Sequence, residues 1–137
     1  MKLTWEYIAG FFDGEGCICF YDFKKKKTYK DKKGNEKIYI INEHRVRTYL
    51  VQNTRIFVQM VQKENKVLKI IGDFLVENGI KSYTYRVNKK GGCDSLQLSH
   101  HKMVQMFLEN IYPYLIVKKD KAELALEYIK SRKWQND

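Results

Sequence analysis

The chain has 137 residues, of which 44% are hydrophobic and 31% are charged, and it contains 26 lysines and arginines against 16 acidic residues, for a net charge of +10. This size predicts one domain, residues 1–137, and this charge favours nucleic acid as the partner. A membrane surface is disfavoured as the partner because no basic amphipathic helix dominates. No apolar run reaches the roughly 20 residues of a membrane span, and no signal peptide is recognisable. We expect an intracellular protein, in the cytoplasm or an organelle.

The three cysteines are Cys17, Cys19 and Cys93. Cys17 and Cys19 lie two residues apart in a predicted strand, where a disulfide between them would be strained. No Cys-x-x-Cys pair or matching histidine spacing predicts a zinc site. We therefore expect reduced thiols in a reducing compartment.

The first predicted element is a helix from about Thr4, a plausible N-cap, to Asp13. Four apolar residues recur at helical spacing: Trp5, Ile8, Ala9 and Phe12. Gly14 and Gly16 make continuation of the helix past Asp13 costly. The helix is therefore expected to end where two carboxylates follow closely.

That helix end combines small residues with negative charge. Gly10 and Gly14 lie on one helix face, so a second helix can approach the backbone closely there. Asp13 and Glu15 lie at the negative end of the helix dipole, which is unfavourable for anions. A divalent cation would remove this conflict, and carboxylate and carbonyl oxygens suit Mg²⁺.

The segment from Ile8 to Gly16, IAGFFDGEG, resembles the LAGLIDADG motif of homing endonucleases. Four of its positions are identical to the motif: Ala9, Gly10, Asp13 and Gly16. The others are conservative replacements, with Ile8 for Leu, Phe11 and Phe12 for the second apolar pair, Gly14 for Ala and Glu15 for Asp. A predicted helix–strand context supports the resemblance.

The resemblance implies a role for each motif position. Glu15 takes the place of the motif's direct metal ligand, and the carbonyl of Gly14 matches a second metal contact. Asp13 matches the first motif acid, for which we expect a structural role at the helix end. The helix face with Ile8, Gly10, Phe11 and Gly14 would form a homodimer interface. The implied cofactor is Mg²⁺ or Mn²⁺, and Ca²⁺ would bind without supporting cleavage.

A strand rich in β-formers is predicted from about Gly16 to Phe23. Residues 24–37 then contain eight lysines around a Lys-Lys-Gly-Asn turn. Such a charge run can be merely a solvated hairpin tip. Its position next to the candidate metal site instead favours contact with phosphate groups, which would add affinity and salt dependence but little sequence readout.

The remaining pattern alternates strands and helices. Strands are predicted within residues 37–62, with a bend near 52–54, and in a hairpin over 81–99 with its turn at 88–92. Helices are predicted over 64–78, with Gly79 as the residue after the cap, and over 100–111 and 119–133. This order predicts an α+β domain whose antiparallel sheet is covered by helices on one face. The resemblance implies the α-β-β-α-β-β-α homing-endonuclease fold, in which the other face forms a DNA-binding saddle.

Alternation along the strands indicates which side chains face DNA. Ile56, Val58 and Met60 are expected in the core, so that Arg55 and Gln59 face away from it. Arginine pairs with guanine and glutamine with adenine in the major groove. The predicted DNA-contacting residues are Tyr21, Lys24, Lys25, Lys26, Lys27, Lys32, Lys33, Arg55, Gln59, Thr84, Arg86, Ser95 and Gln97.

The resemblance also implies catalytic positions beyond Glu15. Gln62 falls where the family orders active-site water, and Lys66 falls at a basic position near the same water. Lys118 matches the family's active-site lysine, which would stabilise charge in the transition state. The adjacent His100 and His101 are interpreted as helix-start or surface residues, since neighbouring side chains point apart.

These features together predict a homodimeric, Mg²⁺-dependent, site-specific double-strand DNA endonuclease of the intron-encoded homing type. Because the motif occurs once, two chains would supply two copies of Glu15 and would read a pseudo-palindromic target. Neither a membrane nor a small-molecule substrate is expected. Two alternatives remain open, namely an RNA-splicing maturase on the same fold and a catalytically silent DNA-binding regulator.

Overall fold

The computed structural model describes residues 2–22, 26–30, 33, 36–40 and 54–131. These residues form two compact units, the larger containing the chain up to Cys19 and from Ile56 onward, and the smaller spanning Phe20–Arg55. The single domain expected over residues 1–137 stays a prediction. Along the described part of the chain, no helix is both long and apolar enough to span a membrane.

The helices and strands follow the predicted order. They are α1 (Trp5–Glu15), β1 (Gly16–Asp22), β2 (Lys26–Lys30), β3 (Glu36–Ile40), β4 (Thr54–Gln62), α2 (Asn65–Glu77), β5 (Thr84–Arg86), β6 (Asp94–Leu98), α3 (His101–Ile111), a 3₁₀ turn (Tyr112–Tyr114) and α4 (Lys119–Ser131). The α+β fold is therefore confirmed. The predicted bend near 52–54 lies mostly outside the described residues.

Helix α1 begins as predicted but ends two residues later. The Thr4 side chain accepts a hydrogen bond from the Tyr7 N–H at 3.1 Å, which makes Thr4 the N-cap. The helix continues through Gly14 to Glu15, and Gly16 is the C-cap. A helical glycine costs only about 1 kcal/mol, and burial of the apolar side of α1 outweighs that cost. The prediction that the helix ends at Asp13 was wrong for this reason.

The larger unit is built on a four-stranded antiparallel sheet in the order β1-β4-β6-β5. In β4, Ile56, Val58 and Met60 are fully buried, as the alternation predicted. Leu96 and Leu98 of β6 are buried on the same side, because Met60 lies opposite Leu96 in the ladder. The core therefore lies between this sheet face and the helices.

Aromatic side chains fix α1 against the other helices. The Trp5 ring lies 4.9 Å from Phe74 of α2 and 6.3 Å from Phe107 of α3, both edge-on. Phe12 contacts Phe107 in the same manner at 5.4 Å. Such pairs add about 0.5–1.5 kcal/mol each beyond area burial. They hold both the start and the last turns of α1 in a defined position.

Two glycines with positive φ lie where the sequence predicted a helix end and a hairpin turn. Gly79, after α2, and Gly91, in the β5–β6 turn, have φ of +87° and +86°, which residues with side chains rarely adopt.

In the smaller unit, β2 and β3 form an antiparallel hairpin in which Lys30 lies opposite Glu36. Part of the lysine-rich segment expected to be a hairpin tip is thus strand.

Candidate functional site

The solvent-facing side of α1 carries two glycines. A β-carbon built on Gly10 or Gly14 would have no described atom within 4 Å. Tyr7, which is 47% exposed, and the half-buried Phe11 complete a stripe at helical spacing. We call these four residues the outer face of α1. Three of these residues, Gly10, Phe11 and Gly14, belong to the predicted homodimer interface, which stays a prediction. The fourth predicted residue, Ile8, is instead fully buried in the chain's own core, because the helix turns that position inward.

Asp13, on the last turn of α1, binds a segment more than 100 residues away. Its carboxylate accepts hydrogen bonds from the N–H groups of Ile116 at 2.7 Å and Lys118 at 3.0 Å. The Lys118 ammonium donates to the Asp13 carbonyl oxygen at 2.6 Å. One residue thus fixes both the backbone and the side chain of the segment that carries Lys118.

The electrostatics of Asp13 follow from these contacts. Partial burial raises the pKa of its carboxyl, but hydrogen bonds from the N–H groups of Ile116, Lys118 and Val117 and the charge of Lys118 outweigh burial. The net pKa lies below its ordinary value of 3.8. Asp13 is therefore an anion at neutral pH with its lone pairs largely used, which fits the structural role expected of it.

Glu15 differs from Asp13 although it lies only two residues away. Its side chain is exposed, and it forms neither a hydrogen bond nor an ion pair with the described part of the chain. Gly14 beside it is exposed as well. Glu15 thus presents a carboxylate at the negative end of α1 with nothing described to neutralise it, which is the donor chemistry that a divalent cation fits.

The other predicted catalytic residues lie at one end of the sheet. In this antiparallel sheet the start of β1, next to Glu15, lies at the same end as the last residue of β4, Gln62. Gln62 is half-buried, and its side-chain oxygen accepts from the Lys63 N–H at 3.0 Å. Lys66 is exposed in the first turn of α2. Their catalytic roles, like that of Lys118, stay predictions.

Several predicted DNA-contacting residues share the sheet face opposite the core. Thr84 and Gln59 both lie opposite Gln97, which makes one row across three strands. Arg86 lies opposite Ser95 in the next row of that face. Arg55 is exposed and has the same parity in β4 as Gln59. Contact of these residues with DNA stays a prediction.

The structure describes less of the predicted basic segment. Lys33 is exposed in a turn. For Tyr21, Lys26 and Lys27 only the backbone is described, in β1 and β2. Lys24, Lys25 and Lys32 lie outside the described residues.

Sequence patterns missed a buried acid beneath the β5–β6 hairpin. Asp94 is 5% exposed and accepts hydrogen bonds from the Asn88 N–H and the Tyr85 hydroxyl, each at 3.0 Å. The hydrogen bond from the Asn88 N–H is the main cause that lowers the pKa of Asp94. Burial, together with the hydrogen bond to Asp94 and its negative charge, raises the pKa of the Tyr85 hydroxyl. The network anchors a turn that carries Lys89 and Lys90. An acid two residues after a Gly-Gly turn was the available signal.

His101 also has a partner that its sequence position did not indicate. Its Nε2 atom accepts a hydrogen bond from the Ile56 N–H at 3.1 Å. The ring therefore joins the start of α3 to β4. His101 is thus not simply a surface residue, whereas His100 is exposed as expected.

Comparison with known proteins supports the fold through structure rather than sequence. No protein-family model matches the chain, and no curated protein matches it. Several solved structures match the chain. The homing endonuclease I-CvuI, in complex with I-CreI target DNA that was not cleaved in the presence of Mg, is 21% identical over 93% of this chain and 66% of that one, with a TM-score of 0.54.

Two further structures agree. The homing endonuclease I-TnaI is 16% identical over 95% of this chain and 74% of that one, with a TM-score of 0.57. The LAGLIDADG meganuclease I-AabMI, bound to uncleaved DNA, is 17% identical over 98% of this chain but only 39% of that one, with a TM-score of 0.57. The chain thus spans just under two thirds of I-CvuI and well under half of I-AabMI. It has the fold of the LAGLIDADG homing endonucleases.

Proposed function

We propose that this chain is a subunit of a homing endonuclease that hydrolyses both strands of a pseudo-palindromic DNA site with a divalent metal. The observation that carries the proposal is the end of α1. There an exposed carboxylate, Glu15, directly follows an open glycine face, Gly10 and Gly14, on a fold shared with DNA-bound endonucleases.

The open glycine face supports a homodimer. Glycines allow two helix backbones to approach closely, and a twofold axis along such a contact would bring two copies of Glu15 together. The described residues of one chain contain no cluster of three or more His, Cys, Asp or Glu side chains, so a second Glu15 would complete the ligand set.

The metal fits the donors that the chain offers. Glu15 and the Gly14 carbonyl would hold it, since Mg²⁺ prefers oxygen ligands and keeps several waters. A bound divalent metal supplies an activated water and neutralises charge on the phosphate. The I-CvuI complexes were solved in the presence of Mg or Ca.

The remaining roles belong to neighbouring side chains. Lys118, held at the end of α1 by Asp13, would stabilise the extra negative charge of the transition state. Gln62 and Lys66, at the same end of the sheet, would order the attacking water. The polar rows around Gln97 would read base edges in the major groove, and lysines of the smaller unit would contact phosphates.

The test is a selection from a library of random DNA duplexes, because it needs no knowledge of the target. The full chain is incubated with the library in Mg²⁺, and cut ends are captured and sequenced. We expect one pseudo-palindromic site cut on both strands. In Ca²⁺ the same site should be bound and not cut.

A Glu15→Gln variant is the matched control. It should select the same sequence by binding yet leave it intact. Binding without any cutting by the native chain in Mg²⁺ would leave the silent regulator as the function. Cutting by Glu15→Gln at the native rate would overturn the metal assignment.

A further inference from the structure

Cys17 and Cys19 of β1 hold their sulfur atoms side by side. The two Sγ atoms are 3.2 Å apart. Cys17 is exposed and Cys19 half-buried, whereas Ile18 between them is fully buried. Because side chains alternate along a strand, both thiols point to the sheet face opposite the core. No disulfide joins them.

An extended strand opposes a disulfide at this spacing. Two residues of strand rise roughly 6.6 Å, which is near the upper limit of the roughly 4.4–6.8 Å that disulfides allow between Cα atoms and above their usual separation of about 5.5–6 Å. Direct closure would therefore strain β1. A single atom that bonds to both sulfurs avoids this problem, because the sulfurs can stay near their present separation.

We infer that Cys17 and Cys19 form a bidentate dithiol site for a soft, three-coordinate centre, specifically a monosubstituted trivalent arsenical. Two thiolates and one organic substituent complete the coordination of trivalent arsenic. Structural zinc takes four ligands, and no third His, Cys, Asp or Glu joins this pair within the part of the chain that the structure describes. Thiolates also favour soft centres over Mg²⁺.

The reaction with phenylarsine oxide balances without an oxidant. Each thiol forms one arsenic–sulfur bond, and the arsenic–oxygen bonds break. The oxygen leaves as water with the two thiol protons. No electrons are transferred, so arsenic stays trivalent and the adduct can be reversed by a competing small dithiol.

The site lies on a functionally important face if the proposed function holds. Strand β1 is the neighbour of β4 in the sheet, and Cys17 and Cys19 point to the same face as Gln59. A phenyl-bearing arsenic atom there would stand between the sheet and DNA. This second step rests on the proposed function, whereas arsenical binding itself does not.

Cys93 provides a matched control for binding. It is an exposed thiol on the β5–β6 hairpin and has no neighbouring cysteine in sequence. Intact-mass measurement of the reduced chain with one equivalent of phenylarsine oxide should give a single 1:1 adduct that ethane-1,2-dithiol reverses. Cys17→Ser and Cys19→Ser should each abolish the adduct, and Cys93→Ser should keep it.

A maleimide count on the native chain makes the result independent of the variants' folding. In the adduct only one of the three thiols should react, and peptide mapping should place it at Cys93. An adduct that survives Cys17→Ser, or a mapped label at Cys17 or Cys19 in the adduct, would overturn the site.

DNA binding separates the two proposals. With the selected duplex in Ca²⁺, the arsenical should weaken binding by native chain at least tenfold and leave binding by Cys17→Ser unchanged. An adduct that forms while DNA binding stays intact would overturn its placement on the DNA face. An adduct on a chain that binds no DNA when untreated would support the dithiol site and sink the proposed function.

Discussion

The two sides of helix α1 contain similar residues in opposite surroundings. On the inner side, Ile8 and Phe12 are fully buried, and a β-carbon on the C-cap residue Gly16 would overlap the Phe12 ring. On the outer side, Gly10 and Gly14 meet no described atom within 4 Å. At Gly16 glycine is thus needed because the Phe12 ring of the same chain fills the space that a side chain would take. Outside, the chain gives no such reason, which is why we assign that face to a second copy.

The same contrast separates the two acids at the end of α1. Asp13 is held by backbone N–H groups of the segment that carries Lys118, and Glu15 is exposed to solvent. One carboxylate stabilises the fold, and the other is available for chemistry. Residue type alone does not make this distinction, since both are acids on one helix turn.

The largest expected difference between the two acids is in catalysis. Glu15→Gln should lower the cleavage rate on the order of 100-fold or more, because metal stabilisation of charge is worth several kcal/mol and each 1.36 kcal/mol is about tenfold. The variant should also unfold at a slightly higher urea concentration. Removal of a negative charge from the helix C-terminus should raise the free energy of unfolding by about 0.3–1 kcal/mol. Single-turnover cleavage and urea titration measure the two effects. A Glu15→Gln chain that unfolds at clearly lower urea would contradict the description of the Glu15 side chain as exposed and without stabilising contacts.

Asp13→Ala should act mainly on stability. It leaves the N–H groups of Ile116 and Lys118 without their charged acceptor, and hydrogen bonds to a charged group are worth about 1.5–3 kcal/mol each. We expect a loss of roughly 2–4 kcal/mol in the free energy of unfolding by urea, whereas the matched control Glu15→Ala should cause no loss. Equal effects of the two substitutions would remove the contrast between the acids.

The Asp13 effect should depend on pH in one direction. Folding lowers the pKa of this carboxyl below 3.8, so the folded chain binds fewer protons than the unfolded chain at acidic pH. Its stabilisation is complete above the unfolded pKa and is lost as pH falls through the folded one. The stability gap between native chain and Asp13→Ala should therefore be constant from pH 7 to 5 and shrink below about pH 3.8. A stability gap that widens on acidification would contradict a lowered pKa of Asp13 in the folded chain.

Local signals predicted much of this molecule. Thr4 and Gly79 were identified from cap chemistry, and the buried side of β4 from alternation, because each depends on residues close in sequence. The partners of Asp13 lie 103 and 105 residues away, and His101 meets Ile56 across 45 residues. Such contacts arise from tertiary packing, which one sequence without its fold does not encode in any short pattern.

A smaller effect tests the inner side of the helix. Gly16→Ala would place a β-carbon against the Phe12 ring, which is fixed by Phe107 at 5.4 Å. Overpacking of this kind costs about 1–3 kcal/mol, and the chain should unfold at correspondingly lower urea. The double variant Gly16→Ala with Phe12→Leu should recover part of the loss by relieving the overlap. No change in Gly16→Ala alone would mean that the ring moves aside freely.

A small effect on folding, and the sharpest test of the comparison, is expected for Gly10→Ala. Because the added methyl group meets open space in one chain, it should stabilise the isolated fold by up to about 1 kcal/mol through helix propensity. If the outer face packs closely against a second copy, the same methyl group should weaken the dimer. Analytical ultracentrifugation over a concentration series should then show dissociation at concentrations where the native chain is dimeric, while urea unfolding of the monomer shifts upward. A methyl group tolerated at Gly10 with an unchanged dimer would place the interface elsewhere, and the two copies of Glu15 would lose the contact proposed to unite them.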